Sequence, residues 1–264
     1  MREGKPSVTA RFVARTRATL DRPEVSTGDA PAELRLYQTL GRTPLGRGSG
    51  RWHERMARRT SFFDRVTLAA LDRGVHQVVI VGAGYDGRPL RFGTPGVTWF
   101  EVDHPATQSD KRARLAAVGA PTEDIVFVPI DLSTGDVVQS LDSAGFDRAG
   151  ASVFLVEGLL GYLTRDTTER LLSSLGELAA LDSRLAVAFP IASSDRRAIK
   201  GLRHRVRGMV VSALGEPWLT RFSLEDVDDV FSRTGWRVSV ELDTPQQYQG
   251  HRGVLIVGEP APAR

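Results

Sequence analysis

Between Gln77 and Asp103 the chain reads QVVIVGAGYDGRPLRFGTPGVTWFEVD, and this stretch limits the fold more than any other. Val78 to Val81 is an unbroken apolar, β-branched run, the pattern of a strand covered on both faces. It breaks into Gly82-Ala83-Gly84-Tyr85-Asp86-Gly87, and after one connection a second strand, Val97–Val102, ends on Asp103. Glycine adopts positive φ freely and lets a backbone approach a ligand, so a glycine-rich turn after a strand is where a nucleotide-like ligand meets a sheet. An acid at the end of the next strand, here 21 residues after Gly82, is placed to accept from both hydroxyls of a ribose. Together they predict a site for an adenosine-containing ligand.

The alternation continues along the chain. Strands are expected at Gln77–Val81, Val97–Val102, Ile125–Ile130, Ala151–Val156 and Leu185–Phe189, with helices around Pro105–Val118, Gly135–Ala144 and Thr167–Leu181. Regular βα alternation means a parallel sheet wound on both faces. Two closing runs, Trp236–Leu242 and Gly253–Gly258, complete a Rossmann-like sheet of seven strands, mostly parallel with an antiparallel last strand. Before them, Ser223–Ser232 reads as a helix, with Ser223 as N-cap and Glu225 and Asp226 in the first turn. Residues 1–75 read as a helical N-terminal cap: helices at 8–20 (Val8, Phe12 and Val13 on one side), 34–40 and 52–71. Residues 76–264 form the α/β domain, with a lid-like insertion at about 191–222, and the two parts make one structural unit.

Composition narrows the class. An apolar content of 41% and a charged content of 25% over 264 residues are those of a folded soluble protein. The absence of cysteine excludes disulfides, thiolate nucleophiles and Cys-ligated metal, and no metal is expected. No apolar run approaches the ~20 residues of a spanning helix, and the basic N-terminus lacks a signal-peptide core, so a cytoplasmic location without a membrane partner is expected. The net charge is +3 and the basic residues are almost all arginine. The clusters at Arg51–Arg59 and Arg196–Arg207 read as solvated helix faces in which one arginine each can meet an anion. A nucleic-acid surface would want that charge gathered on one face and interleaved with aromatics, and the solvated reading is preferred for both, so no nucleic-acid partner is expected. A homodimer is left open.

Gly82, Gly84 and Gly87 satisfy GxGxxG, which alone fits a dinucleotide oxidoreductase or a tight turn with no ligand. Three further strand ends carry acids, however: Asp103, then Asp131-Leu132, then Glu157-Gly158. Ligands of open α/β sheets bind outside the carboxyl ends of the strands. Any one of these acids can be a helix cap, Asp131 especially, but a row of polar signatures at successive tips is better explained by one shared ligand.

The stretches Arg59-Thr60 with Phe63-Asp64, VVIVGAGYDGRPLR, FEVDHPATQSDK and VEGLLGYLT together resemble the leucine carboxyl methyltransferase family of class I S-adenosylmethionine-dependent methyltransferases, including its bacterial branch. The likeness runs from about Arg58 to Thr164. Where many members have Thr, this chain has Gly87, which completes GxGxxG and implies a more flexible loop. The resemblance implies that Gly82, Ala83 and Gly84 lie against the methionyl part of the cofactor, that Asp103 holds the ribose and that Asp131 and Leu132 border the adenine. It implies that Glu157 and Gly158 meet the amino-acid end and that Arg59 reaches the cofactor or substrate carboxylate. Tyr162 matches a tyrosine near the transfer centre, with core packing as its other reading. His104 is expected to be a turn residue.

A sulfonium is already a strong methyl donor, so alignment and exclusion of water are the main tasks, and positioning is worth roughly 7–11 kcal/mol. A carboxylate acceptor, with a pKa near ~4, needs no general base but does need a cation, and arginine's fork matches it. A hydroxyl acceptor would want a base, for which His53, His204 and His251 are available. The expectation is therefore an O-methyltransferase for a small, anionic molecule. The rivals are an NAD-dependent oxidoreductase, which does not account for Asp131 and Glu157, and a non-catalytic adenosyl-ligand-binding protein. A nucleic-acid methyltransferase would carry an Asn/Asp-Pro-Pro-aromatic tetrapeptide where this chain has EGLLGY.

Overall fold

The computed structural model describes residues 6–41, 50–192, 218–239, 246–247 and 253–262. Three helices come first: α1 (Val8–Arg17), α2 (Ala30–Gln38) and α3 (Gly50–Asp72). The βα series follows as β1 (Gln77–Val81), the short α4 (Arg88–Arg91), β2 (Thr98–Asp103), α5 (Pro105–Ala117), β3 (Ile125–Pro129), α6 (Val137–Ser143) and β4 (Ser152–Val156). After a 3-10 turn at Leu160–Tyr162 come α7 (Arg165–Leu178) and β5 (Arg184–Pro190). The chain closes with α8 (Leu224–Arg233), β6 (Trp236–Val238), β7 (Gln246–Gln247) and β8 (Gly253–Pro260). The strands expected from the apolar runs are present nearly to the residue, and α4 is the helix that periodicity did not announce.

The sheet runs in the order β3-β2-β1-β4-β5-β8-β6, with the two-residue β7 added to β8. The first five strands are mutually parallel, and β8 runs antiparallel between β5 and β6. The final strand of the chain is thus the antiparallel one, as expected, and it lies inside the sheet. The order reverses between β1 and β4, which puts the crevice of an open α/β sheet outside the carboxyl ends of those two strands.

Alternation along β1 shows why both faces are covered. Val79 and Val81 point into a cluster with Leu141, Leu171, Leu175 and Val230 of α6, α7 and α8, whereas Val78 and Ile80 meet Phe62, Phe63, Val66 and Ala70 of α3. Burying such a side chain contributes about 1.5–3 kcal/mol. The N-terminal helices therefore divide. The helix α3 belongs to the sheet's own core, while α1 and α2 join a separate cluster through Ala14, Leu36 and Tyr37 with Tyr85 and Leu90. Ser223 caps α8 as expected, its hydroxyl accepting from the Asp226 N–H in a full capping box. Of the expected insertion at 191–222, residues 193–217 lie outside the described residues, as do His204 and His251.

Candidate functional site

The turn after β1 carries two glycines at positive φ, Gly82 at +69° and Gly84 at +54°, which explains the residue type at both. The space this frees is filled from within the protein. A Cβ on Gly82 would stand 3.0 Å from the Leu159 side chain, and one on Gly84 would stand 2.8 Å from Cβ of Ala10 on α1. Helix α1 lies directly over the glycine turn. Gly87, at φ −104°, needs no unusual backbone; a Cβ there would fall 2.3 Å from Cγ of Glu33. The third glycine of the literal motif therefore makes room for a buried carboxylate, a packing role in place of the expected loop flexibility. Ala83 is buried between them.

At the tip of β2, Asp103 is 8% exposed and its carboxylate accepts from two backbone groups, the N–H of Gly84 and, at 2.6 Å, that of His104. Burial pushes its pKa up, and those two N–H donors only partly offset the effect. A carboxylate has about four acceptor positions, so two remain for further donors. His104 caps α5, its Nδ1 accepting from the Ala106 N–H at 3.2 Å, so it is a turn residue. Ile130 N–H donates to the Asp103 carbonyl at 2.9 Å and holds the β3 tip beside it. There Asp131 is exposed; its Oδ1 accepts from the backbone N–H (2.9 Å) and hydroxyl (2.7 Å) of Ser133, which lower its pKa. Leu132 packs against the apolar cluster under β3. Asp131 thus shapes its own turn through Oδ1.

The tip of β4 is built differently. The Glu157 carboxylate takes Nε of Arg59 on Oε1 at 2.9 Å, and Arg17 (2.7 Å) and Arg88 (2.9 Å) on Oε2. Burial alone would raise its pKa, but attraction to Arg17, Arg88 and Arg59 overrides this and holds it well below the usual carboxylate range. Gly158 follows at φ +70°, and a Cβ there would be 3.2 Å from an Arg59 guanidinium nitrogen. Arg59 therefore lies over Gly158, oriented by Glu157, with its side chain 21% exposed. Four residues on, the half-buried Tyr162 meets the Trp218 ring edge to face, with centroids 6.2 Å apart.

Behind this front sits a buried ionic network that sequence reasoning missed. Asp86 pairs with Arg17 (3.1 Å) and Arg88 (2.5 Å), and Arg88 Nε reaches Asp64 at 2.7 Å. Asp64 also takes Arg22 Nε at 2.8 Å, and Arg22 continues to Glu33 at 2.6 Å. The hydroxyl of Tyr37 donates to Glu33 at 2.9 Å and accepts from the Gly87 N–H at 3.1 Å. The signal available was the recurrence of Asp64, Asp86 and Arg88 inside the motif stretches. Arg17 and Arg22 gave none, being two arginines among many.

The arrangement brings Arg59, the glycine turn, Asp103, Glu157 and Gly158 to neighbouring tips, with Asp131 beyond Asp103. It offers a carboxylate that can accept from a diol and an outward guanidinium that can hold a carboxylate. Such a set fits an adenosyl amino acid: Asp103 would take the ribose, and Arg59 the amino-acid carboxylate.

The strand order is that of the class I methyltransferase architecture. A chain from Thermobifida fusca YX, titled "crystal structure of a putative methyltransferase", superposes with a TM-score of 0.62 over 98% of this chain and 97% of its own, at 14% identity. Magnesium protoporphyrin IX methyltransferase from Synechocystis PCC 6803, solved with bound SAH, gives a TM-score of 0.51 over 88% and 96%, also at 14% identity. At such identities the likeness is one of fold. The sequence profile of the leucine carboxyl methyltransferase family matches residues 8–176, well over half the chain, and the protein belongs to that family. Relatives named "Putative S-adenosyl-L-methionine-dependent methyltransferase" include one from Mycobacterium sp. (strain JLS), 43% identical over 65% of this chain. Another, from Mycobacterium bovis (strain BCG / Pasteur 1173P2), is 36% identical over 73% of it. The chain spans 55% and 65% of the length of these two curated relatives. Among the described residues no helix is long and apolar enough to cross a membrane.

Proposed function

We propose that this chain is an S-adenosylmethionine-dependent O-methyltransferase that forms a methyl ester on a small organic acid, with a hydroxyl acceptor as the second reading. Gly82, Ala83 and Gly84 would border the methionyl part, and Asp103 the ribose. Asp131 and Leu132 would meet the adenine, and Glu157, Gly158 and Arg59 the amino-acid end. When bound, S-adenosylmethionine supplies a methyl group on a sulfonium, ready to pass to a carboxylate oxygen that has no proton to remove.

The chain's own residues then orient and shield. Asp103, short of a cationic partner, accepts hydroxyl donors. Glu157 fixes the plane of Arg59, whose fork can hold a carboxylate in two parallel hydrogen bonds. Helix α1 covers the glycine turn and limits water there. The observation that carries the reading is Arg59 held by Glu157 over Gly158, a cation kept partly open at the tip of β4.

Isothermal titration with S-adenosylhomocysteine against NADH tests the cofactor, and mass spectrometry of products from a panel of carboxylic acids and phenols tests the acceptor. Micromolar binding of S-adenosylhomocysteine and a methyl ester product are expected; binding of NADH alone would overturn the reading.

A further inference from the structure

The segment that follows residue 217 has one anchored end and one presented end. Phe222 is fully buried, stacked edge to face on Phe189 at 5.2 Å, with its N–H donating to Pro190 O at 2.8 Å. Three and two residues earlier, the N–H groups of Leu219 (2.8 Å) and Thr220 (3.4 Å) both donate to the Gly161 carbonyl. The Thr220 hydroxyl donates to Leu163 O at 2.6 Å. These bonds fasten the segment's backbone to the turn after β4, three residues beyond the glycine on which Arg59 sits. The indole of Trp218 is laid over Gly161, where a Cβ would come 3.5 Å from the ring, and against Tyr162.

Trp218 nonetheless remains 48% exposed and Leu219 57% exposed. Large apolar side chains held half open by their backbone, next to a site, are surface still available to a ligand. One cationic group flanks them. The Arg221 guanidinium carbon lies 5.6 Å from the Trp218 ring centroid. Apolar rings and an arginine side by side select a ligand that is both flat and negatively charged.

We propose that Trp218, with Tyr162 and Leu219, forms the specificity-determining wall of the acceptor site, and that the acceptor is an aromatic or similarly flat apolar carboxylic acid. This rests on the methyl-transfer reading and deepens it.

The test uses the full chain saturated with S-adenosylhomocysteine and a fluorescent toluidinonaphthalene sulfonate, an apolar aromatic anion, as probe. Trp218→Ala should weaken dye binding about tenfold, and Trp218→Phe should restore it to within about threefold. Leu181→Ser, in an exposed position before β5, should change nothing. Phenylacetate should displace the dye and succinate should not. Calorimetric affinity for S-adenosylhomocysteine should be the same in all four proteins, so loss of cofactor binding, which would undo the underlying reading, is seen separately. Unchanged dye affinity in Trp218→Ala, or displacement by succinate as readily as by phenylacetate, would overturn the proposal.

Discussion

The tips of β2 and β4 flank β1 on either side, and each ends in a buried carboxylate. Among the described residues Asp103 meets only backbone N–H groups at hydrogen-bond distance, and its pKa is pushed up by burial. Glu157 meets three arginines and is held down by them in spite of burial. The same chemical group is thus prepared for two tasks. A carboxylate whose charge is neutralised inside the protein serves to position its partners, here Arg59 above all. One whose charge lacks a close cation gains from each neutral donor that arrives, which suits a ribose diol. Removing Glu157 should damage the protein itself, whereas removing Asp103 should damage binding.

The largest expected effect follows from that contrast. Glu157→Gln leaves Arg17 and Arg88 buried with one less counter-charge, a change of the kind that costs about 3–5 kcal/mol, so its thermal midpoint should fall well below that of Asp103→Asn. If both variants melt alike, the contrast between the tips is broken.

The pH dependence sharpens it next, because the two groups carry opposite signs. Glu157, depressed in the folded state, contributes stability that is present above the ordinary carboxylate range and lost as pH falls through its folded value. Asp103, raised in the folded state, contributes stability that is present below its ordinary value and lost as pH rises through its folded one. Denaturant midpoints measured from acid to neutral pH should show a shallower acid limb in Glu157→Gln. Asp103→Asn should lose least, relative to wild type, at neutral pH.

Third, Asp103→Asn should weaken S-adenosylhomocysteine binding roughly 10–100-fold by calorimetry, the size of lost hydrogen bonds to a charged acceptor. Arg59→Lys keeps the charge but not the fork, and should weaken the same ligand about tenfold with little change in melting. The smallest change belongs to Asp131→Asn. That carboxylate is exposed and already serves Ser133, so a loss of about threefold or less is expected.

Much of this geography was legible in the residues. Unbroken apolar runs located β1, β4 and β5, because a strand buried on both faces has no polar side to show, while β2 was read through the Glu101 that interrupts it. The acids at 103, 131 and 157 marked the tips correctly, and Ser223 with Asp226 announced the cap of α8. The reason for Gly87 was not legible, since the atom that excludes a side chain there belongs to Glu33, far away in sequence. Nor was the division of the N-terminal helices: a periodic apolar face says that α3 packs, not against what.

By itself, then, the sequence determined a doubly wound sheet, its glycine turn and the row of carboxylates at its carboxyl edge. Those features are written in local periodicity and in the conformational demands of single residues. The tertiary structure alone decided which carboxylate would be neutralised and which left short of a cation. Arg17 reaches Glu157 across the whole of the βαβ series, and ion pairing has no period along a chain. The cost of burying a charge is met only where distant segments happen to converge, so that choice becomes visible only once the chain is folded.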